Sequence, residues 1–307
     1  MTNVQIQLTP APKPPNPQDD AYATNLNQTV SVPAPGVLVN DLDATWTNLV
    51  ASVNSGPANG TLWLTNNGGF TYAPNPNFFG RDCFSYTATE AGGTNFGVAD
   101  VTIFVANTNF LFHDDFRRCG MPPYALAPWQ LYSGQGVSGQ WSLGNGVLQG
   151  TSALQKYGYC YLDADWTNYS VEAAIQFPAV VWGGGIGGRL NPAGGKHYAA
   201  WIYPEGSGGG SNVLKLIKFS GWTGFQILQT NNQASVGTNW HTLRLAINTA
   251  MNTNYIAVYY DDLENPRISF QETNSPGYSS GAVSLDLWTS QTAYTMSVSN
   301  LIVKPLP

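Results

Sequence analysis

From Asp19 onward the chain is a succession of short apolar runs separated by turn residues, which is the pattern of an all-β protein. The first group comprises Thr29–Val32, Leu49–Val53, Gly60–Leu64, Gly69–Tyr72, Asp82–Thr89 and Ala99–Val105. Turn signals such as Pro57-Ala-Asn-Gly60 and Asn66-Asn-Gly-Gly69 separate them, which predicts a small β-sandwich. From about Phe112 the runs lengthen: Tyr169–Phe177, Tyr198–Tyr203, Val213–Phe219, Thr242–Ile247, Tyr255–Tyr260, Ala282–Leu287 and Met296–Val303. No helical stretch interrupts this second group, which predicts a jelly roll. A chain of 307 residues is too long for one ordinary core. The expected division is an N-terminal strand and Pro-rich linker over 1–17, a first domain over 18–107 and a second over 108–307.

Only 10% of the residues are charged, against roughly 25% in ordinary soluble proteins. The polar surface must then come from Asn, Thr, Ser and Gln, a composition that suits an extracellular, cell-surface or virion-surface location. With 12 Lys and Arg spread along the chain and no basic cluster, a nucleic-acid partner is not expected. No apolar run approaches the roughly 20 residues of a membrane-spanning helix. The first residues, Met1-Thr-Asn-Val-Gln-Ile-Gln-Leu8, lack the basic start and apolar core of a signal peptide. The expectation is a leader already removed or an exit by another route, such as release inside a virus particle.

Residues 4–8 alternate Val4, Ile6, Leu8 with Gln5 and Gln7, as a half-buried strand does. A stiff Pro-rich stretch over 11–17 separates it from the rest. Three readings stand: the last strand of a preceding repeat, a strand that pairs with a neighbouring subunit, or one that folds back on its own chain. Of the three cysteines, Cys119 and Cys160 fall in the same expected domain and are the expected disulfide. Cys83 is then expected to be a buried thiol. The three His are scattered and no Cys-x-x-Cys occurs, so a zinc site is not expected.

The segments Asp19-Asp-Ala-Tyr-Ala-Thr24, Pro35-Gly-Val-Leu-Val-Asn-Asp-Leu-Asp43, Gly60-Thr-Leu62, Gly69-Phe-Thr-Tyr-Ala-Pro74 and Phe79-Gly-Arg-Asp-Cys-Phe-Ser-Tyr86 follow one another in a recognisable order. Over about 90 residues the chain resembles the bacterial cadherin-like, immunoglobulin-like repeat of large adhesins. It departs from that pattern at Glu90-Ala-Gly92 and in a shortened acidic run after Asp43. The second domain resembles the concanavalin-A-like and laminin-G-like jelly rolls. The segments that carry this are Asp114-Asp-Phe116, Gly139-Gln-Trp-Ser-Leu-Gly-Asn-Gly-Val-Leu148, Gly187-Gly-Arg189, Trp240-His-Thr-Leu-Arg-Leu245 and Ser299-Asn-Leu-Ile-Val303. The fold class expected is thus all-β, an immunoglobulin-like sandwich followed by a concanavalin-A-like jelly roll.

Some relatives of the second domain hydrolyse β-glucans with a Glu-x-Asp-x-x-Glu strand. Retaining hydrolysis needs two carboxylates about 5–5.5 Å apart. The corresponding strand here reads Val283-Ser-Leu-Asp-Leu-Trp288 and has one carboxylate. Asp163-Ala-Asp165 is read as a turn or metal-binding loop, no Gly-x-Ser-x-Gly elbow exists, and no catalytic residue is expected. Gly183-Gly-Gly-Ile-Gly-Gly188 contains Gly-x-Gly-x-x-Gly, but Arg189-Leu-Asn-Pro follows instead of a helix, so no dinucleotide site is expected. Calcium is the one cofactor the acidic residues suggest. In the first domain these are Asp19, Asp20, Asn40, Asp41, Asp43 and Asp82; in the second they are Asp114 and Asp115, with Asp261 and Asp262. For carbohydrate, Trp182 and Trp222 in Gly-rich stretches are the expected exposed platforms, with Trp201 and Tyr203, while Trp141 and Trp240 read as core. A flexible Gly-rich loop, Gly206-Ser-Gly-Gly-Gly-Ser211, lies beside them. The function expected is non-enzymatic adhesion to a glycan or cell-surface polysaccharide. The alternative is a virion or filament subunit that assembles through residues 4–8; a glycoside hydrolase is disfavoured.

Overall fold

The computed structural model describes residues 14–41, 49–178, 181–273 and 277–307. The expected strand over 4–8 and the expected calcium ligand Asp43 lie outside these residues. The chain divides into two compact units: residues up to Thr108 with Arg118–Gly120, and Asn109–Arg117 with Met121–Pro307.

The first unit contains β1 (Asp20–Asn25), β2 (Val30–Val32), β3 (Leu49–Ser55), β4 (Gly60–Leu64), β5 (Phe70–Pro74), β6 (Gly80–Glu90) and β7 (Phe96–Ala106). They form two sheets, ordered β1-β7-β6-β3 and β2-β5-β4, with β1 parallel to β7. Strand β1 is an addition to the expected runs. Its alternation of half-buried and exposed residues, Asp20-Ala-Tyr-Ala-Thr-Asn25, carries a single large apolar side chain, Tyr22. The two-residue period of β6 and β7 sends Phe84, Tyr86, Val101, Ile103 and Val105 into the core between the sheets. Phe70 and Tyr72 of β5 meet them from the other side, with Tyr22 and Phe84 edge-on to Phe70 at 4.9 and 5.6 Å.

The same parity corrects the expected disulfide. With Phe84 and Tyr86 facing inward, Cys83 between Asp82 and Phe84 faces the other way and is within reach of the returning segment 118–120. Cys83 and Cys119 are bonded, S–S 2.02 Å, with Cα atoms 5.6 Å apart. Cys160 is the free, buried thiol. Its own strand parity packs it in the second unit's core, opposite Leu285, where no other cysteine comes.

The second unit begins with β8 (Phe112–Asp114), β9 (Gln130–Gly134), β10 (Val137–Gly144), β11 (Val147–Ser152), β12 (Lys156–Trp166) and β13 (Tyr169–Gln176). It continues with β14 (Gly183–Asn191), β15 (Lys196–Tyr203), β16 (Val213–Ser220), β17 (Phe225–Asn232), β18 (His241–Ala250) and β19 (Thr253–Tyr260). Strands β20 (Ile268–Glu272), β21 (Gly281–Thr289) and β22 (Met296–Pro305) complete it. A front sheet runs β17-β16-β15-β14-β21-β12-β9 and a back sheet β10-β11-β22-β13-β18-β19-β20, with β8 on β22. Strand β10 begins in the first and ends in the second. This is the jelly-roll sandwich, its core built from alternate residues such as Ile186, Ala200, Leu216 and Leu285 from the front and Val171, Leu245, Val258 and Val298 from the back. Asp163 and Asp165 form the exposed end of β12, in strand and not in a turn.

Among the described residues, a cation is enclosed in this unit. Arg189, at φ +53° in the bulge that ends the Gly-rich part of β14, is fully buried. Its guanidinium donates to the carbonyls of Thr167 (2.9 Å) and Tyr278 (2.7 Å), to Thr249 Oγ1 (2.7 Å) and to Asn254 Oδ1 (2.8 Å). Such a charge is tolerated because every donor direction meets an oxygen.

Non-reducing peptide mapping is expected to return a fragment joining Cys83 to Cys119, with Cys160 alkylated only after denaturation. A fragment joining Cys119 to Cys160 would contradict the assignment. Cys119→Ser is expected to lower the first unit's stability by roughly 2–4 kcal/mol, the usual effect of opening a loop of this length.

Candidate functional site

The face of the front sheet turned away from the core is lined with rings, and the sequence parity explains why. In β12 the alternate residues Tyr157, Tyr159 and Tyr161 leave the core, in β15 His197, Ala199, Trp201 and Tyr203 do, and in β21 Ser284, Asp286 and Trp288. Between β15 and β21 runs β14, whose residues on this face are Gly183, Gly185 and Gly187. A Cβ on Gly187 would fall 2.1 Å from Ser284 Oγ and 3.1 Å from Asp286 Oδ2; on Gly185 it would fall 1.9 Å from Ala200 O. The side-chain-free strand is therefore what lets groups from β15 and β21 meet across it.

They do so at His197 and Asp286, both fully buried. His197 Nδ1 lies 2.8 Å from Gly195 O and Nε2 lies 3.1 Å from Asp286 Oδ2. A carbonyl oxygen only accepts, so Nδ1 carries a hydrogen. The contact at Nε2 then holds one proton, on the imidazole or on the carboxyl, and the pair is neutral in sum either way. The imidazole stacks on Phe219 at 4.4 Å, and Trp201 Nε1 lies 3.4 Å from the same Asp286 oxygen. The pair thus sets the positions of two rings on this face.

Those rings belong to a cavity of about 240 Å³. Trp201, Tyr203 and Phe219 are its buried floor, while Trp182, Tyr157 and Trp288 are half-buried walls and Phe225 is an exposed rim. Trp182 meets Trp288 edge-on at 4.5 Å. The segment 206–211, expected to be a flexible loop, is packed against these rings. A Cβ on Gly208 would lie 2.5 Å from the Trp182 ring, and one on Gly209 2.3 Å from Tyr203. Lys215 Nζ stands 4.1 Å over the Tyr203 ring and donates to Gly209 O. Burial lowers its pKa, and burial alone pushes the Tyr157 phenol up to about 12. No carboxylate lines the cavity among the described residues.

The expected platform residues divide accordingly. Trp182, Trp201 and Tyr203 come together in the cavity; Trp222 does not. Its indole is 9% exposed, lies parallel to Tyr132 at 3.8 Å and rests on Gly195, where a Cβ would be 2.4 Å away. Gly-rich flanks let this ring lie down on backbone instead of presenting it to solvent. Tyr157, Phe219 and Phe225 are cavity residues the sequence reading missed; the alternation Tyr157-Gly-Tyr-Cys-Tyr161 carried the signal for the first. Trp240, read as core, is 42% exposed, because it precedes β18 and escapes that strand's inward parity.

The expected calcium ligands are mostly committed elsewhere. Asp82 is buried and accepts from Ala58 N, Asn59 N and Tyr72 Oη, holding the turn before β4. Asp114 accepts from Phe116 N and Trp129 Nε1, and Asp115 from Arg117 N. Asp261 pairs with His241 at 2.8 Å, and Asp262 caps Glu264 and Asn265. Asp19 accepts from Asp100 N, and the exposed Asn40 donates to Asp19 O. Asp20 and Asp41 remain as a pair around the Tyr86 hydroxyl, which is 2.9 Å from each Asp41 oxygen. No group of three or more His, Cys, Asp or Glu side chains is assembled among the described residues.

Burial, and then the Asp41 charge, raise Asp20 to about 6 from 3.8. A carboxyl that holds its proton more tightly when folded contributes stability below its ordinary pKa and loses it as pH rises toward 6. Asp20→Asn is therefore expected to melt higher than the parent at pH ~7.5 and equally at pH ~3.5. A difference that is independent of pH, followed by calorimetry of the full chain, would contradict this. In the second unit, Asp286→Asn is expected to keep the fold, since its amide can donate to Nε2. Asp286→Ala, measured by the same melts, is expected to lose roughly 1–3 kcal/mol by leaving a buried nitrogen unpaired.

Residues 12–107 match the family model of the bacterial cadherin-like domain. No curated protein matches the chain. Among solved structures, it is similar to a carbohydrate-binding module of Bacillus subtilis at 16% identity and TM-score 0.45, over 57% of this chain and 94% of the module. It is also similar to a pseudo β-1,3-glucanase of Mycobacterium tuberculosis at 18% identity and TM-score 0.46, over 65% of this chain and all (100%) of that one. A β-glucanase of Bacillus licheniformis stands at 12% and 0.45, over 65% and 100%.

Proposed function

We propose that the protein is a non-enzymatic adhesive module that binds a neutral glycan in the ring-lined cavity of its second unit. The observation that carries this reading is the wall of half-buried Trp182, Tyr157 and Trp288 over a floor of Trp201 and Tyr203. Sugar C–H faces pack on such rings, and a cavity with no ionised lining suits a ligand without charge. The bacterial cadherin-like first unit supports an adhesive setting outside the cell. Binding without hydrolysis is supported by the state of the one carboxylate on the β21 face: Asp286 is buried and paired with His197. Most glycosidases cleave with two carboxylates that reach the scissile bond. No helix among the described residues is long and apolar enough to cross a membrane.

The test is affinity electrophoresis of the full chain through gels containing laminarin, galactomannan, arabinoxylan or dextran. Trp288→Ala and Trp182→Ala are expected to weaken the retarding interaction by about tenfold or more. Trp63→Ala, at a ring 73% exposed in the first unit, is expected to leave it unchanged. No release of reducing ends is expected from any of the four. Cleavage that disappears in Asp286→Asn would overturn the non-enzymatic reading.

A further inference from the structure

The back sheet of the second unit carries a groove on its own outward face. Neighbouring strands deliver one residue each to it: Gln149 of β11 stands opposite Ser297 of β22, and Ser297 opposite Gln176 of β13. Their neighbours along each strand, Leu148, Val298 and Ile175, face the core, so the row itself faces out. With Thr238, Thr295, Phe177 and Pro178 it forms an open groove of about 470 Å³.

The chemistry of this lining is narrow. No lining residue ionises, and every polar side chain is an amide or a hydroxyl, able to donate and accept. Gln176 Nε2 donates to Thr238 O at 2.9 Å. Because a carbonyl only accepts, this contact fixes the amide's orientation and leaves its oxygen as the acceptor end. Strands lie ~4.8 Å apart, so the row repeats a hydrogen-bonding group at that interval along a line crossing them. On the far side of β13, Ile175 stands opposite His241, and the residue before His241 is the exposed Trp240. An exposed indole beside a row of neutral hydrogen-bonding groups is the combination that holds sugar rings. A peptide could not join this sheet here as an added strand, because β11, β22 and β13 are each paired on both sides.

We propose that this groove is a second binding site, for a neutral polysaccharide laid across β11, β22 and β13 with Trp240 as a stacking platform at its end. It is independent of the cavity in the front sheet, because it lies on the outward face of the other sheet.

The test titrates the full chain calorimetrically with the same four polysaccharides, and with alginate as an anionic comparison. The proteins are the parent, Gln149→Ala/Gln176→Ala, Trp240→Ala and Trp288→Ala, each checked for an unchanged circular dichroism spectrum. The expected result is a neutral polysaccharide that Trp288→Ala still binds and that both groove variants bind about tenfold more weakly. Groove variants that match the parent for every polysaccharide would overturn the second site while leaving the cavity reading standing. Tighter binding of alginate than of any neutral chain, or heat from none of the five, would overturn it as well. Loss in the groove variants alone, with Trp288→Ala unaffected throughout, would keep this site and remove the cavity one.

Discussion

The close approach of β15 and β21 side chains over β14 is the constraint on which the front sheet depends. Gly183, Gly185 and Gly187 leave a trough in the middle of a sheet whose other strands carry large rings. Into that trough fit the His197–Asp286 pair and, beside it, the edge of Trp201. An ordinary strand at this position would hold its neighbours' side chains apart, and the floor of the cavity would not form. Glycine lowers a strand's intrinsic stability. Here the loss is offset by pairing on both sides and by the rings that close over the gap.

The two sheets of the second unit have complementary surfaces. Aromatic residues line the cavity on the front and amides and hydroxyls the groove on the back, while the apolar core between the sheets is shared. Both patterns come from the same two-residue period, read on alternate sides of each strand. The buried Arg189 and its oxygen partners bring β14 to the loop preceding β13 and to the β18–β19 strands, so one buried cation links the front sheet to the back sheet.

Much of the fold was legible from residue order. The longer runs over 169–177, 198–203, 213–219 and 296–303 correspond to β13, β15, β16 and β22 nearly end to end. Among the strands absent from the expected runs, some have a composition that hides their period: β14 is mostly glycine, β1 has one large apolar residue, and β9 is exposed along most of its length. Others, β8, β10, β11, β12, β17 and β20, went unread although β12 alternates plainly over Tyr157–Tyr161. The site was legible in part for the same reason. Trp182, Trp201 and Tyr203 announced themselves by residue type, but Tyr157 and Phe225 become site residues only through pairings distant in sequence. Trp222 and Trp240 exchanged their expected roles because exposure depends on what lies beneath a ring, and flanking glycines say nothing about that. The cysteine pairing turned on strand parity at Cys83, which the presence of Phe84 and Tyr86 already encoded. The acidic residues are the least legible, because a carboxylate holding a turn and one holding a cation are the same letter in a sequence.

The scarcity of ionised residues has a bearing on where such a surface works. Neither the cavity nor the groove is lined by a charged side chain. Contacts made through ring faces, amides and hydroxyls have no counterions to release and no field for dissolved salt to screen. Contacts of this kind respond less to dissolved salt than contacts between ions do. The character of these two linings is thus set by shape and hydrogen bonding, which vary little as ionic strength rises or falls.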